Sequence, residues 1–137
     1  MFDALDISAS GLAAQRLRMD TVSANIANLN TTRNAQGQPI PYRRRFAVFS
    51  PNQAARGEGA VKPGVHVRKI EQDMSPFLRK HEPGHPDADA NGYVLKPNID
   101  LSIEFVNALE ASRAYEANAT TMEVTKSMMN ATLRLLA

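Results

Sequence analysis

Four side chains in the middle of the chain have types and spacings that could bind a metal ion. His81, His85, Asp87 and Asp89 offer nitrogen and oxygen donors within nine residues, a donor set suited to a divalent cation. Proline and glycine interrupt the same stretch, so these side chains could instead cap the backbone of a rigid turn. No second cluster of donors accompanies them, which favours the turn.

A run of three arginines is the strongest local charge. Arg43, Arg44 and Arg45 stand between Tyr42 and Phe46, and basic groups interleaved with aromatic rings can follow a nucleic-acid backbone. On a strand, however, three consecutive side chains cannot all face one way. The net charge of +2 also gives little support to nucleic-acid binding, which favours a solvated edge or salt bridges to a neighbouring subunit.

Composition argues against an enzyme and against a membrane protein. The 137 residues include no cysteine, which excludes disulfides and thiolate metal sites. No phosphate loop, nucleotide fingerprint or nucleophile elbow is present, and no stretch reaches the ~18 apolar residues of a membrane span. Asp3 and Asp6 occupy the place of a basic signal-peptide region. We expect no catalytic residue, cofactor or metal, no direct membrane insertion, and export without a cleaved leader.

The element expected at the N-terminus is a helix from about Ala4 to Leu29. Leu5, Leu12, Met19 and Ile26 recur at a spacing of seven, and Val22 and Leu29 widen the same stripe. Polar residues weaken this stripe, so it is less apolar than that of a self-sufficient coiled coil.

A second helix is expected from about Asn98 to the end of the chain. Asp100 is the predicted N-cap, and Glu104 lies in the first turn, where the helix dipole favours an acid. One stripe is formed by Leu101, Ala108, Tyr115, Met122, Met129 and Leu136, with Phe105, Ala119 and Leu133 beside it. Such a helix would be ~57 Å long, whereas a compact body of this size is only ~37 Å across. We therefore expect the helix to protrude and a partner to cover its stripe.

The segment 31–97 contains all eight prolines and six of the seven glycines. Alternating pieces at 42–49 and 64–70 predict two β-strands, with turns around them. The predicted fold is mainly α with a small β-containing insert: an antiparallel, coiled-coil-like pair of terminal helices and an extended hairpin-and-loop middle.

Two blocks of sequence resemble the bacterial flagellar rod and hook proteins. Ser23–Thr31 is similar to their Asn-x-Ala-Asn-x-x-Thr signature. A series in the second half is similar, more specifically, to the proximal-rod proteins of the basal body; it comprises Gly64–Val67, Asp73–Pro76, Pro83–Asp89, Gly92–Val94, Pro97–Asn98 and Ala111–Asn118. Thr32-Arg33-Asn34 departs from the commoner Thr-Pro-Gly, and Lys80-His81-Glu82 also departs from the usual pattern.

The resemblance implies a structural subunit of the proximal rod, the drive shaft that transmits motor torque and encloses the export channel. Residues 1–30 and 98–137 would form an inner-tube domain, and residues 31–97 an outer segment. The implied partners are further copies, other rod subunits, ring and adaptor proteins, the flagellar export apparatus and the rod cap, with no nucleic acid. The implied location is the periplasmic part of the basal body.

Subunit contacts are expected along both helices and in the middle. On the N-terminal helix and its signature they are Leu5, Leu12, Met19, Val22, Asn25, Ile26, Asn28, Leu29 and Thr31. In the middle they are Arg43, Arg44, Arg45, Pro83, His85, Asp87, Asp89 and Tyr93. On the C-terminal helix they are Leu101, Phe105, Arg113, Tyr115, Asn118, Met122, Met129, Leu133 and Leu136.

Overall fold

Two long helices pack against each other in the computed structural model, which describes residues 2–52 and 63–136. Helix α1 spans Phe2–Ala27 and helix α2 spans Leu101–Leu136. Arg18 on α1 meets Asn107 and Glu110, whereas Asn25 near the end of α1 meets Glu104 near the start of α2. The helices are therefore antiparallel, and the predicted fold class is confirmed.

The ends of both helices follow from local capping chemistry. Asp100 accepts hydrogen bonds from the backbone nitrogens of Ser102 at 2.8 Å and Ile103 at 3.3 Å, as an N-cap does. At the end of α1, Asn28 donates to the carbonyl of Ala24 at 2.8 Å. The side-chain oxygen of Asn28 accepts a hydrogen bond from the Thr31 hydroxyl at 3.1 Å. The bonds to Asp100 satisfy backbone N–H groups that a helix N-terminus leaves without intrahelical partners, and the Asn28 bonds hold the chain as it leaves α1.

The two helices approach closely where their side chains are small. Ala111 is 0% exposed and Ala14 only 4% exposed. A Cβ placed on Gly11 would lie 2.9 Å from Nδ2 of Asn118, a distance that requires the neighbour to move. Small residues at this seam let the backbones come together.

Helix α2 is ten residues longer than α1, with 36 residues against 26. Since Gly11 lies opposite Asn118, the antiparallel register places the last turns of α2 beyond the start of α1. The overhang is about 15 Å at 1.5 Å per residue. The part of the chain that the structure describes contains no helix long and apolar enough to cross a membrane.

The middle segment folds into two separate antiparallel ribbons. In the first ribbon, β1 (Arg45–Pro51) pairs with β2 (Val65–Gln72), with an irregularity between Val48 and Phe49. In the second ribbon, β3 (Leu78–His81) pairs with β4 (Tyr93–Lys96). The two strands predicted at 42–49 and 64–70 correspond to β1 and β2, shifted by one to three residues. The second ribbon was not predicted, because its four-residue strands are too short to show an alternating pattern.

The first ribbon lies against α1. The Val65 backbone nitrogen donates to the Ser10 hydroxyl at 3.1 Å. Gly64 has φ of +143°, and a Cβ there would lie 2.4 Å from the same hydroxyl, so glycine is required on both conformational and steric grounds. The described apolar core is thin and consists of Ala14, Val22, Val94, Ile99 and Ala111.

A bulky residue at Gly11 should wedge the helices apart. We expect Gly11→Leu to lower the free energy of unfolding by about 1–3 kcal/mol, the usual cost of overpacking a close contact. The matched control is Ala9→Leu, at an exposed position of the same helix, which should change it by less than about 0.5 kcal/mol. Urea unfolding followed by circular dichroism measures both, and equal effects would contradict the close packing at Gly11.

Candidate assembly interface and its internal frame

A buried amide joins the end of α1 to the middle segment. Asn25 is 0% exposed, and its Nδ2 donates to the Arg45 carbonyl at 2.7 Å and to Glu104 Oε2 at 2.9 Å. Its Oδ1 accepts from the Arg45 backbone nitrogen at 2.9 Å and from the Tyr42 hydroxyl at 3.4 Å. The side chain therefore binds the first residue of β1 as a paired strand would.

A buried carboxylate completes the junction from α2. Glu104 is also 0% exposed, and its Oε1 accepts from Nε of Arg44 at 2.7 Å. Its other oxygen is the acceptor for Asn25, so each carboxylate oxygen has a charged or amide donor. We call Asn25, Arg44 and Glu104 the buried network. A buried charge is stable only when it is paired and hydrogen-bonded in this way.

The arginine run is used within the chain. The Arg43 guanidinium donates to the carbonyls of Asp73 at 3.3 Å and Ser75 at 3.1 Å, and it lies 4.2 Å from the centre of the Phe77 ring. Arg45 lies over Tyr42 at 5.3 Å. The expectation of a solvated edge is wrong for Arg44, whose guanidinium pairs with Glu104 inside the subunit, and contacts of the run with a neighbouring subunit stay a prediction.

Asn98, which lies just before α2, binds the backbone on both sides of the first ribbon. Its side-chain oxygen accepts from the Arg44 backbone nitrogen at 3.1 Å, and its amide donates to the Asp73 carbonyl at 3.1 Å. Asp73 in turn binds Ser75 through its side chain, and this hydrogen bond lowers the pKa of Asp73.

The turn between β3 and β4 uses its polar side chains on its own backbone and on the segment after α1. His85 Nδ1 accepts from the Asp87 backbone nitrogen at 3.1 Å, and Asp89 accepts from the backbone nitrogen of Tyr93 at 2.8 Å. Asp87, with a side chain 7% exposed, accepts from the Thr32 hydroxyl and from Nε of Arg33, both at 2.7 Å. Both partners of Asp87 therefore lie in the segment 32–34, which differs from the usual family sequence.

The same hydrogen bonds favour the ionised form of the two aspartates of the turn. The hydrogen bonds from Arg33 and Thr32 lower the pKa of Asp87, and the Tyr93 backbone hydrogen bond lowers that of Asp89. Within residues 2–52 and 63–136, no three histidine, aspartate or glutamate side chains are grouped so that they could hold a metal ion. His85, Asp87 and Asp89 have the geometry of the rigid turn, and the His81 ring packs edge-on against Tyr93 with 5.0 Å between ring centres.

The predicted contact residues fall into buried, half-buried and exposed groups. Val22 and Asn25 are buried, at 6% and 0% exposed. The half-buried ones are Leu5, Leu12, Met19, Ile26, Asn28, Leu29, Thr31, Arg43, Arg44, His85, Asp87, Asn118, Met122 and Met129. The exposed ones are Arg45, Pro83, Asp89, Tyr93, Leu101, Phe105, Arg113, Tyr115 and Leu133. The side chain of Leu136 lies outside the described residues. Their contacts with other subunits stay a prediction.

Helix α2 has an apolar face that the stripe of spacing seven missed. At 100° per residue, that stripe lies on the same side as Glu104 and Ala111. Up to Met122 this side faces α1, and the last members of the stripe lie in the overhang. The opposite side carries Val106, Leu109, Val124 and Met128, each 53–60% exposed. Ile103 and Phe105 at 55% and 58%, and Leu135 at 88%, extend the exposed apolar surface. We call Val106, Leu109, Val124, Met128 and Leu135 the outward face.

A paired-helix subunit whose longer helix exposes an apolar face is suited to assembly with other subunits, and comparisons with known proteins identify its family. Residues 5–36 match the family model described as flagella basal body rod protein, and residues 90–135 match that of the flagellar basal body rod FlgEFG protein C-terminal. The chain is 43% identical to the flagellar basal-body rod protein FlgC of Bacillus subtilis, with 98% of this chain and 97% of the relative covered.

Two further FlgC proteins show similar agreement. The identity is 41% for Borreliella burgdorferi, with 99% of this chain and 97% of the relative covered. It is 40% for Salmonella typhimurium, with coverage of 98% and 97%. The chain belongs to the FlgC family of flagellar basal-body rod proteins, and it is a structural subunit of the rod.

The second ribbon contains an ionic cluster that should make stability depend on acid pH. Hydrogen bonds from Lys80 and then Lys96, at 2.8 Å and 3.0 Å, lower the pKa of Glu82 from 4.5 to about 2. A depressed carboxyl pKa stabilises the folded state above the unfolded pKa. This contribution should be present above pH 4.5 and be lost as the pH falls toward 2.

Comparing Glu82→Gln with the unmutated chain measures this contribution. The difference in free energy of unfolding should be present at pH 6, shrink below pH 4.5 and vanish only as the pH falls below the folded pKa of about 2. Glu116→Gln, at an exposed position of α2, is the control. A difference that stays constant across this range would contradict the assigned pKa.

Proposed function

We propose that this rod subunit assembles in the proximal rod through its terminal helices. In this proposal α1 and α2 belong to the inner layer around the export channel, and the two ribbons belong to an outer layer that contacts neighbouring rod subunits. The assembled rod then transmits torque from the motor toward the hook. Family membership and the division of the chain into helix pair and ribbons support this role.

The outward face of α2 is the single observation that carries the proposal. Leu109 is 53% exposed, Met128 60% and Leu135 88%, and all lie away from α1. A single chain gains nothing from apolar groups in water, and exposed apolar side chains grouped on one side of a helix are typical of a protein-protein contact. Burial of such a side chain in an assembly contributes roughly 1.5–3 kcal/mol.

The proposed role needs neither catalytic residues nor a cofactor. Its partners are further copies of the chain, other rod subunits, ring and adaptor proteins, and the export apparatus and rod cap during assembly. The proposed location is the periplasmic part of the basal body. The engagement of Arg43 and Arg44 within the subunit leaves little of the arginine run for nucleic acid, and so favours the assembly role.

A charge on the outward face should prevent assembly while leaving the subunit folded. We expect Leu109→Asp, introduced into a strain that lacks its own copy of the gene, to abolish swimming and to leave no complete rods in electron micrographs of basal bodies. An unpaired carboxylate in a buried contact is the physical reason. The purified variant should retain its circular dichroism spectrum, because the residue is exposed in the single chain.

Leu109→Met is the matched control, because it preserves an apolar side chain of similar volume. It should support swimming close to that of the unmutated protein. Motile cells with complete rods in the Leu109→Asp strain would contradict the proposed role of this face.

A further inference from the structure

The first ribbon contacts α1 directly but meets α2 only through side chains. Among the described elements, the backbone of α2 approaches α1 and neither strand of the ribbon. The link from α2 to the residue before β1 is the Glu104–Arg44 pair at 2.7 Å. The other oxygen of the same carboxylate holds Asn25, which in turn binds both backbone groups of Arg45.

We propose that the buried network is a lock by which the pairing of α1 and α2 fixes the orientation of the first ribbon. The inference concerns the single subunit and goes beyond its assembly in the rod. The three members come from α1, from the entry to β1 and from α2, and 17 to 79 residues separate Asn25 from the groups that it binds. Before the helices pair, Arg44 lacks Glu104 and keeps only the longer contact with Asp73 at 3.7 Å, and Asn25 lacks one acceptor.

The physical basis is the cost of a half-satisfied polar network. Glu104 and Asn25 are both 0% exposed while the helices are paired, so in the folded subunit water does not replace a partner that a mutation removes. A buried network is stable when every member is bonded, and removing one member leaves the others desolvated and unpaired. The ribbon therefore takes its full attachment only in the paired state. Its contacts at Ser10 and Gly64 hold the far end of the ribbon to α1 in either state.

A side chain between the first ribbon and α1 gives a way to measure how firmly the ribbon is attached. Val67 of β2 is half-buried and lines a recess with Ala14 and Leu17 of α1. Because the chain contains no cysteine, Val67→Cys introduces a single thiol into the full-length protein. Because Val67 is only half-buried, the change in the maleimide labelling rate between variants, and not the rate itself, reports how far the ribbon separates from α1.

In the Val67→Cys background, we expect Glu104→Gln to raise the labelling rate about tenfold or more, the effect of a buried polar group losing its partner. Helix content should stay unchanged by circular dichroism. The matched control is Glu110→Gln, which breaks an exposed Arg18–Glu110 pair on the same helix, and it should leave the rate within about twofold.

Arg44→Lys is a milder second variant that keeps a positive charge but loses the guanidinium geometry. It should raise the labelling rate in the same direction by a smaller factor. The double change Arg44→Met with Glu104→Leu should label more slowly than Glu104→Leu alone, since it removes the unpaired charge.

Equal labelling rates in the Glu104→Gln and Glu110→Gln proteins would overturn the lock. So would a loss of helix content in parallel with faster labelling, because Glu104 would then stabilise the whole subunit rather than the ribbon. The measurement uses the unassembled chain, so it is independent of whether Leu109→Asp blocks rod formation.

Discussion

The carboxylate of Glu104 is the group on which the rest of the arrangement depends. It is fully buried, and its two oxygens accept from Arg44 and Asn25. A buried carboxylate cannot remain charged without such partners. Its presence therefore fixes the register of α2 against α1, the position of Arg44, and through Asn25 the first residue of β1. Three segments far apart in sequence meet at one group.

Directional hydrogen bonds hold the described interior together, because few large apolar side chains are buried there. The buried apolar side chains are mostly short, such as Ala14, Val22 and Ala111, and each contributes little area. Asn25 and Glu104 occupy positions at which a larger apolar residue would add more area but would tolerate several registers. Directional hydrogen bonds restrict the helices to one register, as polar residues do at coiled-coil seams.

Sequence periodicity identified both helices and their ends but not the role of each face. Asp100 was predicted as a cap from its type and position, and the hydrogen bonds that it accepts are local. Leu101, Tyr115 and Met122 lie on the side of α2 that faces α1, and their predicted contacts with other subunits stay a prediction. Val106 and Leu109 were missed, since a helix apolar on two sides does not indicate which side its own chain covers. The Glu104–Arg44 pair joins residues 60 apart, and no local pattern signals such a contact.

The polar interior allows α2 to keep apolar side chains on its outward face. If the helix pair were held by a wide apolar seam, fewer apolar residues would be free for the outside of α2. Because the buried network and close contacts such as Gly11 against Asn118 define the pair, Leu109 and Met128 remain exposed without loss of the fold. Whatever binds this face stabilises the folded subunit by mass action. In the proposed arrangement the buried network thus sets the orientation of the first ribbon, and the energy of association comes from side chains that the single chain leaves in water.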